Sequence, residues 1–294
     1  MSRITSLAFA LPLAFAATTA VADTSKGPVP TLPKAGDPLG LTGAAEWPKL
    51  QWMYDAPSAS DAAGKVIVHW FCSVKAKPCA DDLARIITLR DAGKIYIVAY
   101  IDGSQRDAKK LDPIRESEGI GRGTVAFGAG VTKLMKQLGV GPGPSSIVVD
   151  VDGKVALVSP NAASEQLDAR DAKANALAGA IKDFTTSQDG PKTVKIGDKF
   201  QLTFKVQLSP WLSYSKGAPM QFDWSAPKDI KCDSMSLKGD QLKIDDHTLT
   251  ATTSCSAPKG IYEARGQIRF SYSIPGSQNM GTGEDGATWK FEVK

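Results

Sequence analysis

The sequence predicts an α/β layer with a mixed sheet followed by an all-β sandwich, and three observations carry that reading. From residue 47 to residue 184 apolar runs alternate with helical patterns, whereas after residue 191 only period-two alternation recurs. Between them lies TSQDGP, residues 186–191, a polar and turn-rich stretch of the kind that links domains. The length fits, because 294 residues that are 42% hydrophobic and 22% charged can bury two ordinary cores.

Taken in order, residues 1–22 hold one cation, Arg3, then an apolar stretch over residues 7–21 that ends in Ala20-Val21-Ala22. This is the pattern of a secretory signal peptide, so the mature chain is expected to begin at Asp23, outside the cytoplasm and without a membrane span. Removing Arg3 lowers the net charge from +4 to +3. Residues 23–45 hold Pro28, Pro30, Pro33, Pro38 and four glycines, and read as a flexible leader.

The α/β unit is expected over residues 46–185. Residues 66–71 (VIVHWF) and 95–100 (IYIVAY) read as buried strands joined through a helix over 79–90, which implies a parallel crossover. Residues 131–138 make a short helix. Strands at 146–151 and 154–158 flank Asp152-Gly153, a two-residue hairpin turn, and a last helix spans 165–184. The sandwich is expected over residues 192–294, with strands at 194–196, 200–206 and 268–272. Cys232 and Cys255 read there as a structural disulfide, and Trp211, Trp224 and Trp289 as core.

Composition excludes several functions. The 35 basic and 31 acidic side chains form no cationic block, so nucleic acid is not an expected partner. With only His69 and His247 among 294 residues, a histidine-rich metal site or a Ser/His/Asp hydrolase has no support. The four cysteines lack paired Cys-x-x-Cys knuckles, and no metal or cofactor is expected. Gly119-Ile120-Gly121-Arg122-Gly123 has no strand–helix setting and reads as a loop.

Cysteine is the chemistry-bearing residue. Cys79 falls in the first turn expected of its helix, where free N–H groups and the positive dipole end favour a thiolate, and Lys75 and Lys77 add positive charge. Cys72 precedes it by seven positions. The two read either as a redox couple or as a purely structural bridge, with an inert buried thiol as a third possibility at Cys79.

At these residues the chain resembles the thioredoxin superfamily, most closely the TlpA-type periplasmic thioredoxins, over about residues 46–184. Lys77-Pro78-Cys79 stands where the family has x-Pro-Cys, and residues 143–150 (GPSSIVVD) are similar to its Pro-Thr-Thr stretch. The resemblance implies a thioredoxin-like fold and a cis-proline at Pro144 facing the cysteines, although Pro142-Gly143-Pro144 also reads as an ordinary loop with a trans bond. It further implies a proton acceptor near His69, for which a core histidine is the other reading. The first cysteine of the family motif is replaced by Ala76, so Cys-x6-Cys stands in place of Cys-x-x-Cys. Residues 259–273 (KGIYEARGQIRFSYS) are similar to a run in the immunoglobulin-like N-terminal domain of the disulfide reductase DsbD, without the cysteines found there.

The expectation is therefore an exported, periplasmic or secreted protein that exchanges disulfides with protein thiols, or with a periplasmic redox partner, through Cys72 and Cys79. The rival expectation is a redox-silent binding protein whose disulfides are structural only.

Overall fold

The computed structural model describes residues 32–41, 49–89, 93–114, 123–215, 217–275 and 280–294. The expected signal peptide and most of the 119–123 glycine loop lie outside these residues.

The first half is built on β2 (Val66–Ser73), an eight-residue strand buried at every position, as a strand covered on both faces must be. Ahead of it come β1 (Gln51–Trp52) and α1 (Ala59–Ala62). It leads through α2 (Lys77–Thr88) to β3 (Ile95–Asp102). Then follow α3 (Gln105–Ala108), β4 (Thr124–Phe127), α4 (Ala129–Leu138), β5 (Ser145–Val149), β6 (Val155–Ser159) and α5 (Ser164–Ala180). The sheet order is β1-β4-β3-β2-β5-β6. β2, β3 and β4 run parallel, and β5 and β6 run antiparallel beyond them. This is the mixed sheet expected, extended by β4, whose four residues are too few to show a period.

Alternation along β2 separates two cores. Val66, Val68, Trp70 and Cys72 face Ile86 of α2 and Ala174 and Ala178 of α5. Ile67 and Phe71 face the other way, against Val131, Leu134 and Leu138 of α4. α4 stops at Gly139, which takes the left-handed conformation (φ 64°) that a glycine enters at little cost. The Asp152-Gly153 turn closes the β5–β6 hairpin, with the Asp150 carboxylate accepting from the N–H groups of Asp152 and Lys154.

Two expectations are corrected. Residues 32–41 are not a free leader: Gly36 N–H donates to the Val155 carbonyl, Val155 N–H to Asp37, and Leu39 N–H to Gly153, and Leu39 is buried. Proline and glycine suit this strap because it pairs with β6 only in places. The stretch read as a linker is instead a strand, β7 (Phe184–Asp189), paired antiparallel with β9 (Phe200–Leu208). Its β-branched Thr185 and Thr186 fit a pleat, and Phe184 packs edge-on against Phe270 at 5.0 Å. α5 accordingly ends at Ala180, before an extended Ile181.

The remaining strands are β8 (Thr193–Val194), β10 (Ser213–Tyr214), β11 (Gln221–Ser225), β12 (Lys231–Cys232), β13 (Ser236–Lys238), β14 (Lys243–Asp245), β15 (Thr248–Ser256), β16 (Gly260–Ser273) and β17 (Met280–Val293). One sheet runs β13-β11-β16-β17-β8 and the other β12-β15-β9-β7. Their inner faces share one core, in which Phe204, Phe222 and Phe270 lie with Trp211, Trp224 and Trp289, so the tryptophans are core as expected. Cys232 and Cys255 sit directly opposite each other on β12 and β15 and are bonded. Where the halves meet, the Asp183 carboxylate pairs with Lys94 at 2.9 Å and accepts from the Tyr272 hydroxyl at 2.8 Å.

Candidate disulfide site

β2 delivers Cys72 as its seventh residue, and the chain then turns, with Ala76 N–H donating to the Ser73 carbonyl. α2 opens with Lys77, Pro78 and Cys79. Pro78 costs nothing in a first turn, where its missing N–H would have had no partner. The N-cap is Ala76, which has no side-chain oxygen to occupy the first-turn N–H groups. Cys79 thus stands in the first helical turn, and it is joined to Cys72 with a Cα–Cα distance of 5.8 Å, well inside the disulfide range. Cys72 is 2% exposed and Cys79 3%, beneath a surface that presents Lys75, Lys77 and Pro78.

The sulfur of Cys79 lies 3.5 Å from the Pro142 carbonyl oxygen, which also accepts the Ser73 N–H at 2.9 Å. The proline facing the cysteines is therefore Pro142, through its backbone. Pro144 is not a cis-proline: every described peptide bond is trans.

The sequence reading missed the ionic group under the couple. On α2 the buried positions are Cys79, Asp82 and Ile86, one helical stripe that faces the sheet. Asp82 is 1% exposed and Arg170, from α5, is fully buried. The guanidinium grips both carboxylate oxygens, at 2.5 and 2.8 Å, and the Trp70 indole donates to Oδ2 at 3.0 Å. Burial pulls the Arg170 pKa down, but hydrogen bonds and charge from Asp82 and Asp171 outweigh it and raise the value overall. Nearer the surface, Arg85 on α2 pairs with Asp168 and Asp171 on α5. An aspartate three residues after Cys79, on an apolar stripe, was the signal available in the sequence.

His69 is not at the couple. It is one residue out of phase with Trp70 and Cys72, so it faces the opposite core. There it is fully buried, with Nε2 donating to the Gly40 carbonyl at 3.0 Å and Nδ1 2.9 Å from the Tyr100 hydroxyl. The imidazole pins the strap of residues 32–41 to the sheet. Desolvation lowers its pKa from 6.5 to about 4, against a smaller upward pull from the Gly40 hydrogen bond.

This depression has a definite sign. Between pH 6.5 and about 4 the unfolded chain binds the His69 proton and the folded chain does not. Stability is therefore complete above 6.5 and falls as the pH drops through that window, by about 3 kcal/mol in all. Melting temperature measured against pH should fall steeply between 6.5 and 4, and His69→Gln should flatten that slope. An unchanged slope in the variant would assign the acid sensitivity elsewhere.

No protein-family model and no curated protein matches the chain. Similar solved structures cover about half of it. A Chlorobium tepidum protein assigned as the thiol:disulfide interchange protein DsbE is 20% identical over 50% of this chain and 99% of its own, with a TM-score of 0.37. Mycobacterium tuberculosis DsbF, in mixed oxidised and reduced forms, is 16% identical over 46% of this chain and 98% of its own, with a TM-score of 0.36. A secreted Mycobacterium tuberculosis disulfide oxidoreductase, homologous to DsbE of E. coli, is 18% identical over 44% and 94%, with a TM-score of 0.33.

Proposed function

We propose that this is an exported thiol–disulfide exchange protein, in which a thioredoxin-like unit that ends with α5 at Ala180 carries the reactive couple Cys72–Cys79 and an immunoglobulin-like unit that begins with β7 at Phe184 serves as a docking module or spacer. The observation that carries the reading is the Cys72–Cys79 bond at the junction of β2 and α2. A substrate thiolate attacks Cys72 Sγ, the Cys72–Cys79 bond breaks, and Cys79 leaves as a thiolate stabilised by the helix N-terminus. A second substrate thiolate then attacks the substrate sulfur of the mixed disulfide and releases Cys72. The substrate dithiol is thereby oxidised and the protein reduced, and the same steps in reverse reduce a substrate disulfide. Two disulfides in one chain support an oxidising compartment, periplasmic or extracellular.

The burial of both sulfurs favours a second reading, a redox-silent binding protein that keeps both bonds for structure. Cys79→Ser separates the two. On the exchange reading the wild type catalyses reduction of insulin disulfides by dithiothreitol, and the variant falls to the uncatalysed rate. A wild type without catalysis, whose Cys72–Cys79 bond stays closed throughout a glutathione titration read by differential alkylation and mass spectrometry, would leave the binding reading.

A further inference from the structure

We propose that the Asp82 carboxylate is the positioning group of the Cys72–Cys79 couple: by holding Trp70 and Arg170 together it keeps the two sulfur-bearing segments at bonding distance after the disulfide opens, and so governs how readily the bond is reduced. This deepens the exchange reading and takes its functional meaning from it, although the equilibrium concerned exists whether or not the couple turns over substrates.

Once the bond is gone, each cysteine is held by its own element. Cys72 lies in β2, which is fixed by β3 on one side and β5 on the other. Cys79 lies at the start of α2, outside any sheet, joined to β2 by a short backbone turn (Ala76 N–H to the Ser73 carbonyl) and by the side chains of α2 that face the sheet. Asp82, one turn further along the same buried stripe, accepts the indole N–H of Trp70, two residues before Cys72 and on the same face. One carboxylate therefore ties the helix that carries one sulfur to the strand that carries the other. Arg170 holds both oxygens of that carboxylate with two hydrogen bonds, which fixes its plane.

On reduction the sulfur–sulfur bond breaks and takes up two electrons and two protons, while dithiothreitol gives them up and closes to its cyclic disulfide. Reclosure is intramolecular, so its equilibrium depends on the effective concentration of one thiol at the other. A rigid link between the segments raises that concentration and favours the disulfide. Loss of one hydrogen bond to a charged group is enough to shift such an equilibrium about tenfold, which is about 30 mV for a two-electron couple.

The test equilibrates the full chain with graded ratios of reduced and oxidised dithiothreitol and reads Cys72 and Cys79 separately by alkylation and mass spectrometry. Trp70→Phe breaks only the indole bond. The double variant Asp82→Leu/Arg170→Met removes the ion pair and the acceptor of the indole N–H together, without leaving a buried charge alone. Both are expected to move the Cys72–Cys79 equilibrium about tenfold toward the dithiol, with Cys232–Cys255 unmoved in the same sample. Arg85→Gln loosens the outer α2–α5 bracket but spares Asp82, and is expected to keep the wild-type value. Folded variants of Trp70 or Asp82 with the wild-type equilibrium would overturn the proposal, as would an equal shift in Arg85→Gln. A shifted equilibrium without insulin turnover in the wild type would sink the exchange reading and leave this one standing.

Discussion

Arg170→Met is expected to cost the protein about 3 to 5 kcal/mol, because it leaves the Asp82 carboxylate charged, buried and held only by the Trp70 indole. Arg170 is fully buried and Asp82 is 1% exposed, so water cannot take the place of the guanidinium without opening the helix layer. In a protein of this size that corresponds to a melting temperature about 10 °C lower. The double variant Arg170→Met/Asp82→Leu should recover most of the loss, since an apolar pair of similar volume avoids the desolvation that the ions incur. Thermal unfolding of the two variants side by side decides the matter. A loss below about 1 kcal/mol in Arg170→Met would mean that Asp82 finds another partner or reaches solvent.

Cys232→Ser is expected to lower stability by about 3 kcal/mol. Its disulfide spans 23 positions and removes a loop of that length from the freedom of the unfolded chain. Cys255, 1% exposed, would also be left as a buried thiol beside a hydroxyl. The Cys72–Cys79 bond spans only 7 positions, so opening it should cost less, by about 1 kcal/mol on loop entropy alone. Reducing that bond while the other stays closed is therefore compatible with a folded protein. Denaturant unfolding of Cys232→Ser with an unchanged midpoint would remove the structural role from this pair.

The α/β half was legible where periodicity was strong. VIVHWFCS over β2 and IYIVAYID over β3 admit little but buried strands, and Asp152-Gly153 announces its hairpin. The placement of Cys79 in the first turn of a helix was also legible, because the buried strand runs almost directly into the helical pattern that follows. What could not be read was tertiary. The family resemblance implies a proton acceptor near His69, but the odd spacing of three positions from Cys72 on a strand sends it to the opposite face, where Gly40 claims it. The partner of Asp82 is 88 positions away on another helix, and no local pattern connects them. The expectation at Pro144 came from the family resemblance alone, whereas the group beside the Cys79 sulfur is the Pro142 carbonyl and the Pro144 bond is trans.

The polar run that disguised β7 as a linker has a consequence for the protein in concentrated solution. Among the described residues β7 terminates its sheet, with β9 on one side; its other side lies beside β17, where the Gln188 amide exchanges two hydrogen bonds with the Thr288 backbone and the Asp189 carbonyl accepts from the Trp289 indole. An apolar strand in that position would invite edge-to-edge growth into fibres. Polar side chains make the cover instead: Gln188 caps the Thr288 backbone, the Thr186 hydroxyl donates to the Asp285 carboxylate, and after Gly190 comes Pro191, with no N–H to extend the ladder. The composition that made this segment look unstructured is what ties this margin of the sandwich to β17 through side chains rather than through a backbone ladder.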